Sequence, residues 1–283
     1  MPGIIGTGTN KPNLDFDINA QIWAEIKLYK GLTWYTKGAA RLYSNKWKDW
    51  RGKPEPLYMY HTGEEKGQLD KGGIGLEEED ERLFYTNLYT YLKYDYTSPN
   101  KDHSFSVMAG YSQENEKYQS IKAYRRDYPF NLPTLDAGGK TGMTNGGDSD
   151  KGSEREWALM SGFARINYNY KDRYLAEVNA RYDGSSRIAK DGRWGLFPSF
   201  SLGWRLTEEE FIKNADLSWL SNAKVRGSWG QLGNQNIGYY PYQAMIAGVD
   251  AYPFDKKNES LAYSQKVYAN QNIKWETTTI TDI

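Results

Sequence analysis

The chain has 283 residues, 36 Lys plus Arg against 36 Asp plus Glu, no cysteine, and an aromatic fraction of 15% carried mainly by 24 tyrosines and 10 tryptophans. Zero net charge gives no basic surplus for a nucleic-acid partner, and the missing cysteine excludes disulfides, thiolate metal sites and a cysteine nucleophile. A mean hydropathy of −0.82 and the lack of any long apolar run exclude a transmembrane helix, while Tyr and Trp, apolar rings with polar tips, suit membrane interfaces and sugar-binding surfaces.

In chain order, Met1–Asn10 lacks a charged-then-apolar leader pattern, which points to a removed signal or a start in mid-protein. Asp15–Leu28 and Leu32–Tyr43 read as strands joined by a short turn at Tyr29–Leu32. Ser44–Arg82 reads as a long polar loop. It contains Trp47, Trp50, Tyr58 and Tyr60, rings that either stack on a sugar or pack the loop onto its neighbours. The acidic run Glu77–Glu81 in the same stretch reads as a solvated face in preference to a cation site.

Leu83–Tyr96 is strand-like, Thr97–His103 is a short turn, and Phe105, Val107, Ala109 and Tyr111 then alternate with smaller or polar residues. Ser112–Glu156 is a second long loop. Asp148 and Asp150 lie in it with the flavour of a calcium loop but without a closing bidentate glutamate, so a flexible loop is the expectation. Ile166, Tyr168 and Tyr170 alternate with Arg165, Asn167 and Asn169, and Tyr170–Arg173 is a short turn.

The cleanest pattern is Arg173–Asp183. Tyr174, Ala176, Val178, Ala180 and Tyr182 form one face, against Arg173, Leu175, Glu177, Asn179, Arg181 and Asp183 on the other. The two tyrosines stand ~20 Å apart along a tilted strand, close to the apolar band and aromatic girdles of an outer-membrane barrel. Gly184–Gly195 is a loop, and Phe200, Leu202, Trp204 and Leu206 alternate with Ser199, Ser201, Gly203 and Arg205. Thr207 followed by Glu208, Glu209 and Glu210 predicts a short helix opened by a capping box, with Thr207 as N-cap. Val225, Gly227 and Trp229 mark another strand, Leu232–Asn272 a long loop, and a last strand begins near Trp275.

This rhythm predicts an all-β chain of about nine meandering antiparallel strands, with short turns at one end and long loops at the other, the asymmetry of periplasmic turns and extracellular loops. His61 and His103 are far apart and without a partnering motif, and no G-x-S-x-G elbow is present. Nothing here points to an enzyme, a metal or a cofactor. A soluble, aromatic-rich glycan-binding β-sandwich is the alternative; a porin or adhesin barrel fits the periodicity alone.

Three segments carry a family resemblance: YLAEVNARYDGSSRIAKDGRWGLFPSFSLGWRLTEEEF (Tyr174–Phe211), VRGSWGQLGNQNIGYYPYQ (Val225–Gln243) and NIKWETTT (Asn272–Thr279). They resemble the barrel of SusC/RagA TonB-dependent transporters. NLPTLDAGG and EWALMSGFARINYNYKDRY fit the strands just before, so the words are clearest over 130–283 and only the rhythm agrees earlier.

The resemblance implies a cell outer-membrane barrel of about 22 strands with a plugged lumen. It implies a SusD-like lipoprotein lid, the TonB complex, outer-membrane lipid and an oligosaccharide or peptide substrate as partners. Residues 1–283 are then a barrel fragment without the plug domain, the TonB box and the remaining strands. Arg181, Asp183 and Arg205 become lumen-facing residues, and Trp47, Trp50, Tyr58 and Tyr60 become candidates for substrate or lid contact.

Overall fold

Where side chains alternate between lipid and water, the backbone must satisfy its own polar groups through neighbouring strands. The chain does this with one long antiparallel sheet. A computed structural model describes residues 11–52, 56–68, 74–139, 151–215, 219–255 and 258–283. The strands are β1 (Asn13–Tyr29), β2 (Leu32–Arg51), β3 (Pro56–Tyr58), β4 (Glu65–Gln68), β5 (Gly75–Thr97), β6 (His103–Arg126), β7 (Lys151–Tyr170), β8 (Tyr174–Ser185), β9 (Trp194–Arg205), β10 (Lys224–Asn234), β11 (Met245–Asp255), β12 (Asn258–Val267) and β13 (Glu276–Asp282). Nine of them form one sheet in the order β1-β2-β5-β6-β7-β8-β9-β10-β13, and the pairs β3-β4 and β11-β12 are separate hairpins. The nine are the nine that the alternation predicts.

The short turns fall where expected. Gly31, at φ 82°, closes the β1-β2 hairpin, and its carbonyl accepts a hydrogen bond from the Asp95 amide at 2.8 Å. A Cβ there would also stand 2.3 Å from the Asp95 carbonyl oxygen, so glycine is required twice over. At the β7-β8 turn Lys171 and Asp172 both take left-handed φ, 51° and 55°, the conformation whose twist matches a hairpin.

The predicted loops Ser44–Arg82 and Ser112–Glu156 are shorter than expected, because β2 runs to Arg51, β5 starts at Gly75, β6 runs to Arg126 and β7 starts at Lys151. Apolar alternation stops near Tyr43 and Tyr111, but the ladder continues on ion pairs and rings. Lys48 pairs with Glu78 at 2.7 Å, Lys122 pairs with Glu77, and the Tyr118 hydroxyl donates to Glu81 at 2.7 Å. The acidic run is thus partnered in place by cations and by neutral donors. Asp148 and Asp150 lie outside the described residues.

The chain divides into two compact units. The first (1–20, 40–85 and 116–156) holds a small core in which Trp50, Leu76 and Tyr128 are buried, with Ile74, Leu135 and Ala137 packed against them. Trp50 meets Tyr128 edge to face at 4.8 Å, and burial pushes the Tyr128 hydroxyl up to about 12.

The second unit (21–39, 86–115 and 157–283) carries the membrane pattern. Ile166, Val178, Phe200 and Trp229 are cross-strand partners in one row, and Tyr170, Tyr174, Trp204 and Val225 in another. Val178, Phe200, Leu202 and Val225 are exposed to about half their area or more. A soluble sandwich buries such rows under a second sheet; here they form an open apolar band, which does not favour that alternative. Rings frame the band. Tyr182 stacks on Trp194 at 5.0 Å at one edge, and at the turn edge Phe105 stacks on Tyr168 at 4.7 Å and Tyr170 on Tyr174 at 6.3 Å.

Candidate functional site: the polar face and the long-loop end

Side chains of the opposite parity form the other face of the same strands. Arg181, opposite Phe197 and Phe163 in register, donates from Nε to both Asp183 carboxylate oxygens (3.0 and 3.1 Å) and from Nη2 to Ser161 Oγ at 2.9 Å. Asp183 and Ser161 are buried. One pleat away, Arg165 Nε donates to Asn179 Oδ1 at 2.6 Å, and Asn179 Nδ2 donates to Glu177 Oε1 at 2.8 Å and Ser199 Oγ at 3.3 Å. Arg181 and Asp183 pair within β8, and neutral Ser161, Asn179 and Ser199 link the charged groups to neighbouring strands, so this face tolerates water or a polar protein surface but not lipid.

A concavity of about 810 Å³ lies on this face, lined by Arg181, Asp183, Glu177, Phe163, Phe197 and Trp275 among others. Phe197 is buried and meets Trp275 edge to face at 5.2 Å, while Trp275 Nε1 donates to the Arg193 carbonyl at 2.8 Å. Phe163 stacks on Tyr89 at 5.1 Å. Sequence reasoning missed these rings because alternation places a residue on a face but does not show where a polar face carries aromatics.

Arg181 and Asp183 are therefore brought together, and Arg205 is not with them. Arg205 pairs in register with Lys224 at the turn end, eight strand residues from Phe197, or ~26 Å.

The four loop aromatics also separate. Trp47 and Trp50 belong to β2. Trp50 is buried in the small core, and Trp47 donates from Nε1 to Glu79 at 3.0 Å with the Lys122 ammonium 5.5 Å from its ring centroid. Tyr58 and Tyr60 lie at and just beyond the end of β3, exposed to 62% and 96%, and Tyr60 meets His61 edge to face at 5.2 Å. Of the four, Tyr58 and Tyr60 are the exposed rings. His103 Nδ1 lies 2.9 Å from the Tyr168 hydroxyl within the aromatic edge. Among the described residues no group of three metal-ligating side chains occurs.

The predicted helix after β9 is present but capped differently. Thr207 lies inside a 3-10 turn, Leu206–Glu208, and α1 (Glu210–Lys213) is preceded by Glu209 as its extended N-cap, with no side-chain cap bond. The Glu209 carboxylate turns away from its own helix. It accepts from the Tyr174 hydroxyl at 2.7 Å and from Trp204 Nε1 at 2.8 Å, and it pairs with Arg173 at 2.9 Å. The Tyr174 hydrogen bond, then that of Trp204 and the Arg173 charge, hold its carboxyl below the usual range despite burial.

An antiparallel sheet with a ring-edged lipid face, a charge-matched opposite face and short turns at one end defines an outer-membrane β-barrel wall. The family model for the TonB dependent receptor-like beta-barrel matches residues 6–283, and the chain belongs to that family. It is 45% identical over 125 residues to the TonB-dependent receptor SusC of Bacteroides thetaiotaomicron, covering 43% of this chain and 12% of SusC. It is 30% identical over 221 residues to TonB-dependent receptor P3 of Formosa agariphila, covering 76% of this chain and 21% of that protein. In fold it matches a chain of the RagAB peptide transporter with a TM-score of 0.77 at 19% identity, over 95% of this chain and 28% of the other. The chain thus spans between about an eighth and a fifth of these curated relatives. It is a stretch of the wall of a SusC/RagA-type barrel of the outer membrane.

Proposed function

We propose that this wall stretch serves an importer of glycans or other oligomeric nutrients, one that works with a SusD-like lipoprotein lid and draws its energy from TonB. The observation that carries the reading is the two-faced sheet, lipid-compatible on the Val178 side and charge-matched on the Arg181 side, in a chain 45% identical to SusC over 125 residues. Residues 1–283 supply wall and extracellular connections, while the plug and the remaining strands belong to the rest of a longer protein. That assignment is supported by the small share of each relative that the chain spans.

On this reading Arg181 and Asp183 keep the interior wall polar and paired, and Arg205 does so at the periplasmic end. Tyr58 and Tyr60 offer rings to a sugar, a peptide side chain or the lid, and Trp47 and Trp50 fix the end of β2 through Glu79 and the small core. The work is transport, with no covalent chemistry. The test is deletion of the full-length gene in its source bacterium. Growth on a panel of oligosaccharides and peptides as sole nutrient should fail for one class, and a lipoprotein should co-purify with the tagged protein from solubilised outer membrane. Unchanged growth on every oligomer, with no lipoprotein recovered, would count against it.

A further inference from the structure

The connection between β9 and β10 does more than turn the chain. Tyr174 and Trp204 share the face of Val178 and Phe200, so their rings stand at the lipid edge of the sheet. Their polar tips both end on one Glu209 oxygen, at 2.7 and 2.8 Å, and Arg173 neutralises the other at 2.9 Å. Glu209 is buried among these partners, two of them rings of the lipid-face parity and the third Arg173 at the turn, which places the start of α1 against the rim of β8 and β9. The Glu209 carboxylate itself presents no bare charge there, because it is fully engaged, while Glu210 beside it is exposed to the aqueous side.

Immediately after this anchor, Phe211 is 61% exposed on α1, and Trp219 is 77% exposed further along. Lys213 pairs with Glu208 at 2.7 Å, both on the same short segment. Glu208, Glu209 and Glu210 precede Phe211 and Lys213 follows it, so the exposed ring at the edge of an aromatic girdle, and not basic charge, marks a segment lying in a membrane interface.

We infer that Leu206–Asn214 is an interfacial foot: pinned by Glu209 to the lipid side of the periplasmic rim, it seats Phe211 among the phospholipid headgroups and upper acyl chains of the periplasmic leaflet. The occupant is a glycerophospholipid surface, argued from continuity with the lipid band that Tyr174 and Trp204 border. The inference rests on the barrel-wall reading.

The test uses the full-length protein, freed of any cysteines, in liposomes of phosphatidylethanolamine and phosphatidylglycerol. A fluorophore is attached through F211C, V178C or Y60C. Some of the phospholipid carries a nitroxide high on the acyl chain, and iodide serves as the aqueous quencher. The F211C label should be quenched several-fold more strongly by the shallow nitroxide than by iodide, with the Y60C label showing the reverse. If F211C behaves like Y60C while V178C is quenched by lipid, the foot is wrong and the barrel stands. If V178C too is quenched only by iodide, the barrel reading fails and takes the foot with it.

Discussion

Tyr89 on β5 and Phe163 on β7 stack face to face, 5.1 Å between centroids and 8° from parallel, although β6 runs between their strands. Gly110 makes this possible. A Cβ on Gly110 would lie 2.5 Å from Phe163 Cζ, 2.7 Å from Tyr91 Cβ and 2.4 Å from the Thr90 carbonyl oxygen. The rings close over a strand that has no side chain at that point.

Gly110→Val should therefore overpack the polar face and separate the two rings, at a cost of about 1–3 kcal/mol. Urea unfolding of the full-length protein in detergent, followed by the mobility shift of folded barrels on gels, reads the loss. A midpoint unchanged from the parent would show that the stack gives way freely.

Trp50 and Tyr60 should differ sharply although both were expected in one aromatic loop. Trp50→Ala empties the small core beside Tyr128 and Leu76 and should cost about 3–5 kcal/mol locally. Tyr60→Ala removes a 96% exposed ring that meets His61 edge to face and should stay within about 0.5 kcal/mol. Limited proteolysis separates them: faster cutting between β2 and β5 is expected for the first variant alone.

The Glu209 cluster should make the periplasmic rim sensitive to acid. Its carboxyl titrates lower in the folded rim than the ordinary value of 4.5, so its contribution is complete above that value and is lost as pH falls through the lower folded value. Glu209→Gln should lower stability at neutral pH, with the difference from the parent closing as pH drops below about 4.5. Thermal unfolding in detergent across pH 3–7 checks it, and a gap that does not change with pH would remove Glu209 as the titrating group.

On the polar face, Arg181 is about half exposed, so its pairing with Asp183 should be worth little alone. A double-mutant cycle of Arg181→Ala and Asp183→Ala should give a coupling of about 0.5–1 kcal/mol. A coupling of zero would mean that Ser161 and water hold Arg181 equally well.

The fold was legible wherever one face meets lipid, because lipid enforces strict alternation from Tyr174 to Tyr182 and from Phe200 to Trp204. Beyond the band that constraint vanishes. Lys48–Glu78 and Tyr118–Glu81 hold strands together with polar side chains whose composition is that of a loop, so composition alone ends β2 and β6 too early. Thr207 looked like a cap because spacing alone does not show that Glu209 is claimed by Tyr174 and Trp204. Parity puts Arg181 and Asp183 on one face of β8, but it does not announce the rings that share that face, Phe163 and Phe197.

The most direct test of the central claim is nitroxide scanning of Ala176 to Tyr182 in the full-length protein reconstituted in liposomes, measuring collision with oxygen against a water-soluble nickel chelate. Oxygen accessibility should rise at Ala176, Val178, Ala180 and Tyr182 and fall at Glu177, Asn179 and Arg181, a two-residue period set by lipid on one face. Accessibility that does not alternate along this strand would contradict a barrel wall.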